Sequence, residues 1–145
     1  MKSAVLSIAI LVASTSATAQ NLEPVVSSEA TMAADLVARG EYAKALKLYI
    51  KLSNQGDINA TYNLGLLYFK GQGVKQDYDL AFSYLNKAAF RKIEGARLQV
   101  ASMYLQGLGT KRNVDEAIKL YTESAEQNNI AAQMILADLY MNGKE

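Results

Sequence analysis

Cysteine and histidine are both absent from this 145-residue chain, and its net charge is only +1. Without histidine the commonest general base is missing, and without cysteine so is the thiol nucleophile. The usual zinc ligands go with them. No disulfide can staple the fold, so stability must come from packing. Once Lys2 is set aside, 14 basic residues balance 14 acidic ones. Such a balance leaves no electrostatic footprint for nucleic acid or for an anionic membrane.

The N-terminus reads as a secretory signal peptide over residues 1–19. Lys2 supplies the positive start, Ala4 to Ala13 is an apolar run broken only by Ser7, and Ala17-Thr18-Ala19 forms an A-x-A cleavage site. The mature chain then begins at Gln20. The run is far shorter than the roughly 20 residues a membrane span needs. No cysteine follows the cleavage site to carry a lipid, and no later stretch could span a bilayer. The expectation is an exported protein, periplasmic or secreted, with residues 20–27 as a short linker and no integral membrane segment after cleavage.

What is present is a repeat at a spacing of 36 residues. Ala60, Ala96 and Ala132 keep this phase, as do Leu64, Val100 and Leu136. So do Gly65, Ala101 and Ala137, then Tyr68, Tyr104 and Tyr140, then Gly71, Gly107 and Gly143. A period in the range of about 20–50 residues means stacked supersecondary units rather than one closed core. Ala60, Leu64, Gly65, Leu67 and Tyr68 fall on one helical face. The small residues at 65, 101 and 137 admit a neighbouring helix, and the tyrosines fill the space beside it. Gly71-Gln72-Gly73 and Gly107-Leu108-Gly109 supply backbone angles that a side chain would forbid. Asp77 and Asn113 are N-caps, and Asn113 with Glu116 resembles a capping box. Seven helices follow, at about 28–39, 41–54, 58–70, 77–90, 94–106, 113–127 and 130–142. The first pair keeps the phase only in its second helix. It lacks the four loop residues that carry the double glycine.

Ala60 to Phe90, ATYNLGLLYFKGQGVKQDYDLAFSYLNKAAF, resembles the Sel-one-like repeat, a relative of the tetratricopeptide repeat. It has that pattern's Ala, Leu-Gly pair, Tyr, Gly-x-Gly-Val loop, Asp and closing Ala-Ala. The next unit departs from it with Ala101, Thr110 and Asn113, and Met32 to Ser53 is closer to a plain tetratricopeptide repeat. The resemblance implies an all-α, right-handed α-α solenoid over 28–145, in units of about 28–57, 58–93, 94–129 and a truncated 130–145. It also implies a scaffold or adaptor role. The last helix lacks a partner: it caps the stack, or meets another chain by self-association, or continues into further repeats.

Catalytic, cofactor and metal sites are not expected. Ser83 and Lys87 lie four apart on a helix and read as a solvated pair rather than a dyad. The Gly-x-Gly loops lack the strand and third glycine of a dinucleotide fingerprint. Asp77 with Asp79, and Asp115 with Glu116, meet the positive end of a helix dipole. Lys111-Arg112 reads as a solvated pair, and the Asn59 sequon as coincidental. The remaining candidate is a surface. By position in the resembling family, the concave face holds Tyr62, Asn63, Leu66, Phe69 and Lys70, then Leu98, Gln99, Ser102, Leu105 and Gln106. Asn63 and Gln99 are amides 36 apart that could grip a peptide backbone, beside an apolar stripe of Tyr62, Phe69, Leu98 and Leu105. The expected function is non-catalytic binding of a protein or peptide. The alternative is an envelope hydrolase acting on cell-wall or β-lactam-like substrates, with Ser83 as nucleophile. Secreted members of the family linked to that activity are cysteine-rich, and this chain has no cysteine.

Overall fold

The structure is a computed structural model that describes residues 28–143; the signal peptide and linker expected at 1–27 lie outside them. Among the described residues there are seven helices and no strand. They are α1 (Ser28–Ala38), α2 (Tyr42–Asn54), α3 (Ile58–Lys70), α4 (Tyr78–Phe90), α5 (Glu94–Gln106), α6 (Val114–Glu126) and α7 (Ile130–Met141). Their ends fall within one residue of the expected ones. Each helix packs on the helices before and after it in the chain. The core is accordingly a chain of three linked clusters rather than a single centre. The first joins α1, α2 and α3 through Ala33, Ala45, Tyr49, Leu52, Ala60, Leu64 and Leu67. The second joins α4 and α5 through Ala81, Leu85, Val100 and Met103. The third joins α5, α6 and α7 through Ala101, Ala117, Tyr121 and Ala132. This is the quasi-one-dimensional packing of a solenoid.

Local chemistry sets the helix ends. Asp77 and Asn113 cap α4 and α6, accepting from the backbone N–H of Leu80 at 2.9 Å and Glu116 at 3.1 Å. The expected capping box at Asn113 is half built, because the Glu116 carboxylate pairs with Lys119 at 3.6 Å. Two caps escape the motif reading: Asp57 on α3 and Asn129 on α7, each 3.0 Å from its donor. They lie 72 residues apart, and the intermediate phase position is Ile93, which leaves α5 without a side-chain cap. Lys111-Arg112 is not merely solvated. Arg112 Nε donates to the Leu105 carbonyl at 3.1 Å, as Gln76 Nε2 does to Phe69 at 2.8 Å one unit earlier. Both side chains thereby satisfy a carbonyl that the end of a helix leaves without an intrahelical donor.

The double glycine serves two purposes. Gly71 and Gly107 are left-handed caps, with φ of 65° and 68°. Gly73 and Gly109 lie against the backbone at the start of the preceding unit's second helix. A Cβ at Gly73 would meet the Tyr42 carbonyl carbon at 2.5 Å, and one at Gly109 would collide with the Tyr78 carbonyl. Side-chain size decides the helix contact as well. A Cβ on Gly65 would sit 2.7 Å from Leu85 Cγ.

The connections leading out of α2, α4 and α6 also follow the phase. Gly56, Lys92 and Asn128 are 36 apart and all have positive φ, at 93°, 66° and 64°. Lysine is the least suited of the three, since its Cβ crowds the carbonyl in this region. Lys92→Gly is expected to stabilise the fold by about 1 kcal/mol and raise Tm by a few degrees. Thermal unfolding followed by circular dichroism checks this, and a lower Tm would mean that the Lys92 side chain contributes more than its backbone costs.

Candidate functional site

The ten surface residues named above sit on α3 and α5, and the structure divides them. Lys70 and Gln106 are exposed, and the other eight are half-buried. Tyr62, Leu66 and Phe69 pack against the Ala81, Leu85, Val100 and Met103 cluster. Leu98 and Leu105 pack against the Ala101, Ala117, Tyr121 and Ala132 cluster. Phe69 also meets Tyr78 edge-on, with centroids 5.3 Å apart. The sequence left open whether this stripe stands free or packs, and these five apolar residues contribute to contacts within a unit and with the next one. Ser102 is likewise engaged: its hydroxyl accepts from Gln106 Nε2 at 2.8 Å. Burial pushes the Tyr121 phenol above the usual 10.0, and the Ser102 hydroxyl opposes the rise.

Asn63 and Gln99 differ from these. They occupy the same phase position on α3 and α5, are half-buried like the others, and form no side-chain hydrogen bond among the described residues. Their amides present both donor and acceptor to whatever lies on that face.

One polar position gives no motif signal. Thr61, Arg97 and Gln133 are in phase at the start of the first helix of each unit, within an otherwise apolar pattern. Thr61 is buried and shares a 2.8 Å hydrogen bond with Ser53. Arg97 is buried too, its Nη1 donating to Glu94 at 3.0 Å. Gln133 is exposed and donates to the Ala125 carbonyl at 3.1 Å. Comparing units position by position, rather than searching for motifs, would have singled it out.

Ser83 and Lys87 are both exposed on α4, and no hydrogen bond joins them among the described residues. No cluster of three or more metal-ligating side chains occurs among the described residues. No described helix is long and apolar enough to cross a membrane. Helix α7 carries exposed apolar side chains. Met134 and Met141 on α7 are 68% and 79% exposed, and Ile130 and Tyr140 are exposed with them. Tyr140 occupies the phase position at which Tyr104 packs against Phe82 of its neighbour.

Residues 37–57, 58–89, 95–129 and 130–145 match the model of the Sel1 repeat. A search of curated proteins finds no match. Among solved structures, a Sel1 repeat protein from Oxalobacter formigenes is 29% identical with a TM-score of 0.71, covering 78% of this chain and 46% of its own. A protective antigen of uropathogenic Escherichia coli strains, c5321, displays an SLR fold. It is 31% identical with a TM-score of 0.63, over 68% of this chain and 21% of its own. The Helicobacter pylori cysteine-rich protein B is 25% identical with a TM-score of 0.59, over 64% of this chain and 70% of its own. This chain thus spans less than half the length of the first two. The glycine loop, the alanine contacts and the tyrosine phase are the physical content of the matched repeat, and the chain belongs to the Sel1 repeat family.

Proposed function

We propose that this chain is an exported, non-catalytic scaffold that holds a protein or peptide along the face formed by α3 and α5. Export rests on the A-x-A sequence and apolar run at the N-terminus. The binding reading is carried by Asn63 and Gln99, two open amides at one phase position of successive units. Amides presented on successive rigid helices can bond a peptide backbone in either direction, and a preformed surface lowers the ordering cost of binding. Lys70 and Gln106 flank them as exposed polar groups. The apolar residues behind contribute rigidity more than contact area.

This distinction changes the informative variants. Leu66→Asp or Leu105→Asp would place a charge at a half-buried packing contact and destabilise the stack. Asn63→Ala with Gln99→Ala removes only the open groups. Losing two such hydrogen bonds is expected to weaken partner capture about tenfold, with helical circular dichroism unchanged. A photoreactive phenylalanine analogue at Gln99 is expected to yield a discrete adduct in the native envelope, and the same analogue at the exposed Lys119 none. Equal labelling from both positions, or unaltered capture by the double variant, would remove the α3–α5 face from consideration.

A further inference from the structure

A cavity of about 550 Å³ lies between α4 and α6, the second helices of two successive pairs, with Arg97 of α5 in its lining. The volume is in the range of ligand pockets, about 300–1,000 Å³. The 36-residue phase explains why it forms at this junction. One unit earlier the equivalent positions are Ser53, Thr61 and Tyr84; here they are Ala89, Arg97 and Leu120. At the earlier junction Ser53 and Thr61 share a buried hydrogen bond, and Tyr84 packs on the first unit's core, stacked on Tyr68 at 5.8 Å. Alanine for serine and leucine for tyrosine remove a hydroxyl and an aromatic ring. Arginine for threonine brings a cation to the wall of the space they leave.

Arg97 is 6% exposed, and its pairing is incomplete. Nη1 is bonded to Glu94, whose other oxygen accepts from Asn129 Nδ2 at 3.3 Å. Nε meets the Glu123 carboxylate only at 4.0 Å, beyond hydrogen-bond distance, and the Glu123 side chain is 47% exposed. A guanidinium held on one side by Glu94 and open at Nε is shaped for a planar carboxylate. Lys87 and Lys92 line the same space, so three cations face one loosely placed acid. Ala89, Leu120 and Phe90 supply apolar wall, and Phe90 is 88% exposed. An inorganic anion would use the cations and leave these apolar groups idle. A ligand that also covers the projecting Phe90 ring must extend beyond the cavity.

The geometry points to this cavity as a binding site for a peptide that carries a glutamate or aspartate beside aliphatic residues. The ligand carboxylate takes the Arg97 Nε edge and the Glu123 side chain turns outward. The aliphatic neighbour covers Leu120 and Phe90. This site uses none of the residues of the α3–α5 face and stands or falls independently of it.

The test is a titration of the ¹⁵N-labelled chain with acetyl-Leu-Glu-Leu-amide and, separately, acetyl-Leu-Gln-Leu-amide, following the Arg97 Nε–H resonance. The glutamate probe is expected to shift it, and the glutamine probe to bind at least about tenfold more weakly, the loss of a charge-assisted hydrogen bond. Glu123→Gln removes the competing acid and is expected to tighten the glutamate probe. Arg97→Gln, which introduces the residue found in phase at 133, should weaken it tenfold or more. Leu120→Tyr changes no charge but restores the ring of the earlier junction, and should abolish binding with helicity intact. Asn63→Ala with Gln99→Ala should leave it unaltered. Equal affinity for the two probes, full binding by Leu120→Tyr, or an equal shift from acetate alone at the same concentration would each overturn the assignment.

Discussion

Gly109→Ala is expected to destabilise the solenoid by roughly 2–5 kcal/mol, the sum of a left-handed backbone penalty and a steric clash. Gly109 has φ of 64°, where a non-glycine residue costs about 1–2 kcal/mol. The added Cβ would also collide with the Tyr78 carbonyl and lie 3.0 Å from the Asp79 nitrogen. These are backbone atoms at the start of α4, fixed by the cap at Asp77, and they cannot rotate away as a side-chain tip would. Gly107→Ala is the control. Its φ is 68°, but its Cβ would find its nearest neighbours, Arg112 Cβ and N, at 3.4 Å. Only the conformational penalty applies there. Thermal unfolding should show a fall in Tm of about 8–20 °C for Gly109→Ala and about 4–8 °C for Gly107→Ala. Equal losses at the two positions would show that the close approach carries no energy.

The second large effect is at the centre of the stack. Leu85 is fully buried, and its truncation to alanine is expected to cost about 2–5 kcal/mol through lost transfer energy and the cavity left behind. The informative measurement is the double variant with Gly65→Ala. Alone, Gly65→Ala gains up to about 1 kcal/mol of helix propensity but drives its methyl to 2.7 Å from Leu85 Cγ. Once Leu85 is shortened that obstacle is gone, and the methyl fills part of the space left. The two substitutions should therefore be non-additive by about 1–3 kcal/mol, the double variant being the more stable of the two Leu85→Ala chains. Urea unfolding of the four chains measures the coupling, and additivity within about 0.5 kcal/mol would refute it.

These two results separate what could be read along the chain from what could not. Helix positions were legible because each depends on residues a few places apart. Ala60, Leu64 and Leu67 share a face, and Asp77 and Asn113 reach N–H groups only three residues on. The caps at Asp57 and Asn129 are just as local but were hidden, because Ile93 breaks their phase. The first glycine of each loop was legible as a turn residue. The close approach made by the second was not, since the atoms it avoids lie about 30 residues earlier, at Tyr42 and Tyr78.

The two surfaces divide in the same way. The sequence by itself placed Asn63 and Gln99 on one face and fixed the 36-residue period, because helical geometry and a repeated contact are both encoded within one unit. It could not settle whether Tyr62, Phe69, Leu98 and Leu105 stand open or pack. Nor could it assign the position shared by Thr61, Arg97 and Gln133, buried in the first two and exposed in the third. Those outcomes depend on how much space successive helices leave between them, and that space is set by residues such as Ser53 and Thr61, or Ala89 and Leu120, which come together only when the helices stack. Tertiary packing set a buried serine–threonine bond at one junction and a cavity beside a buried arginine at the next.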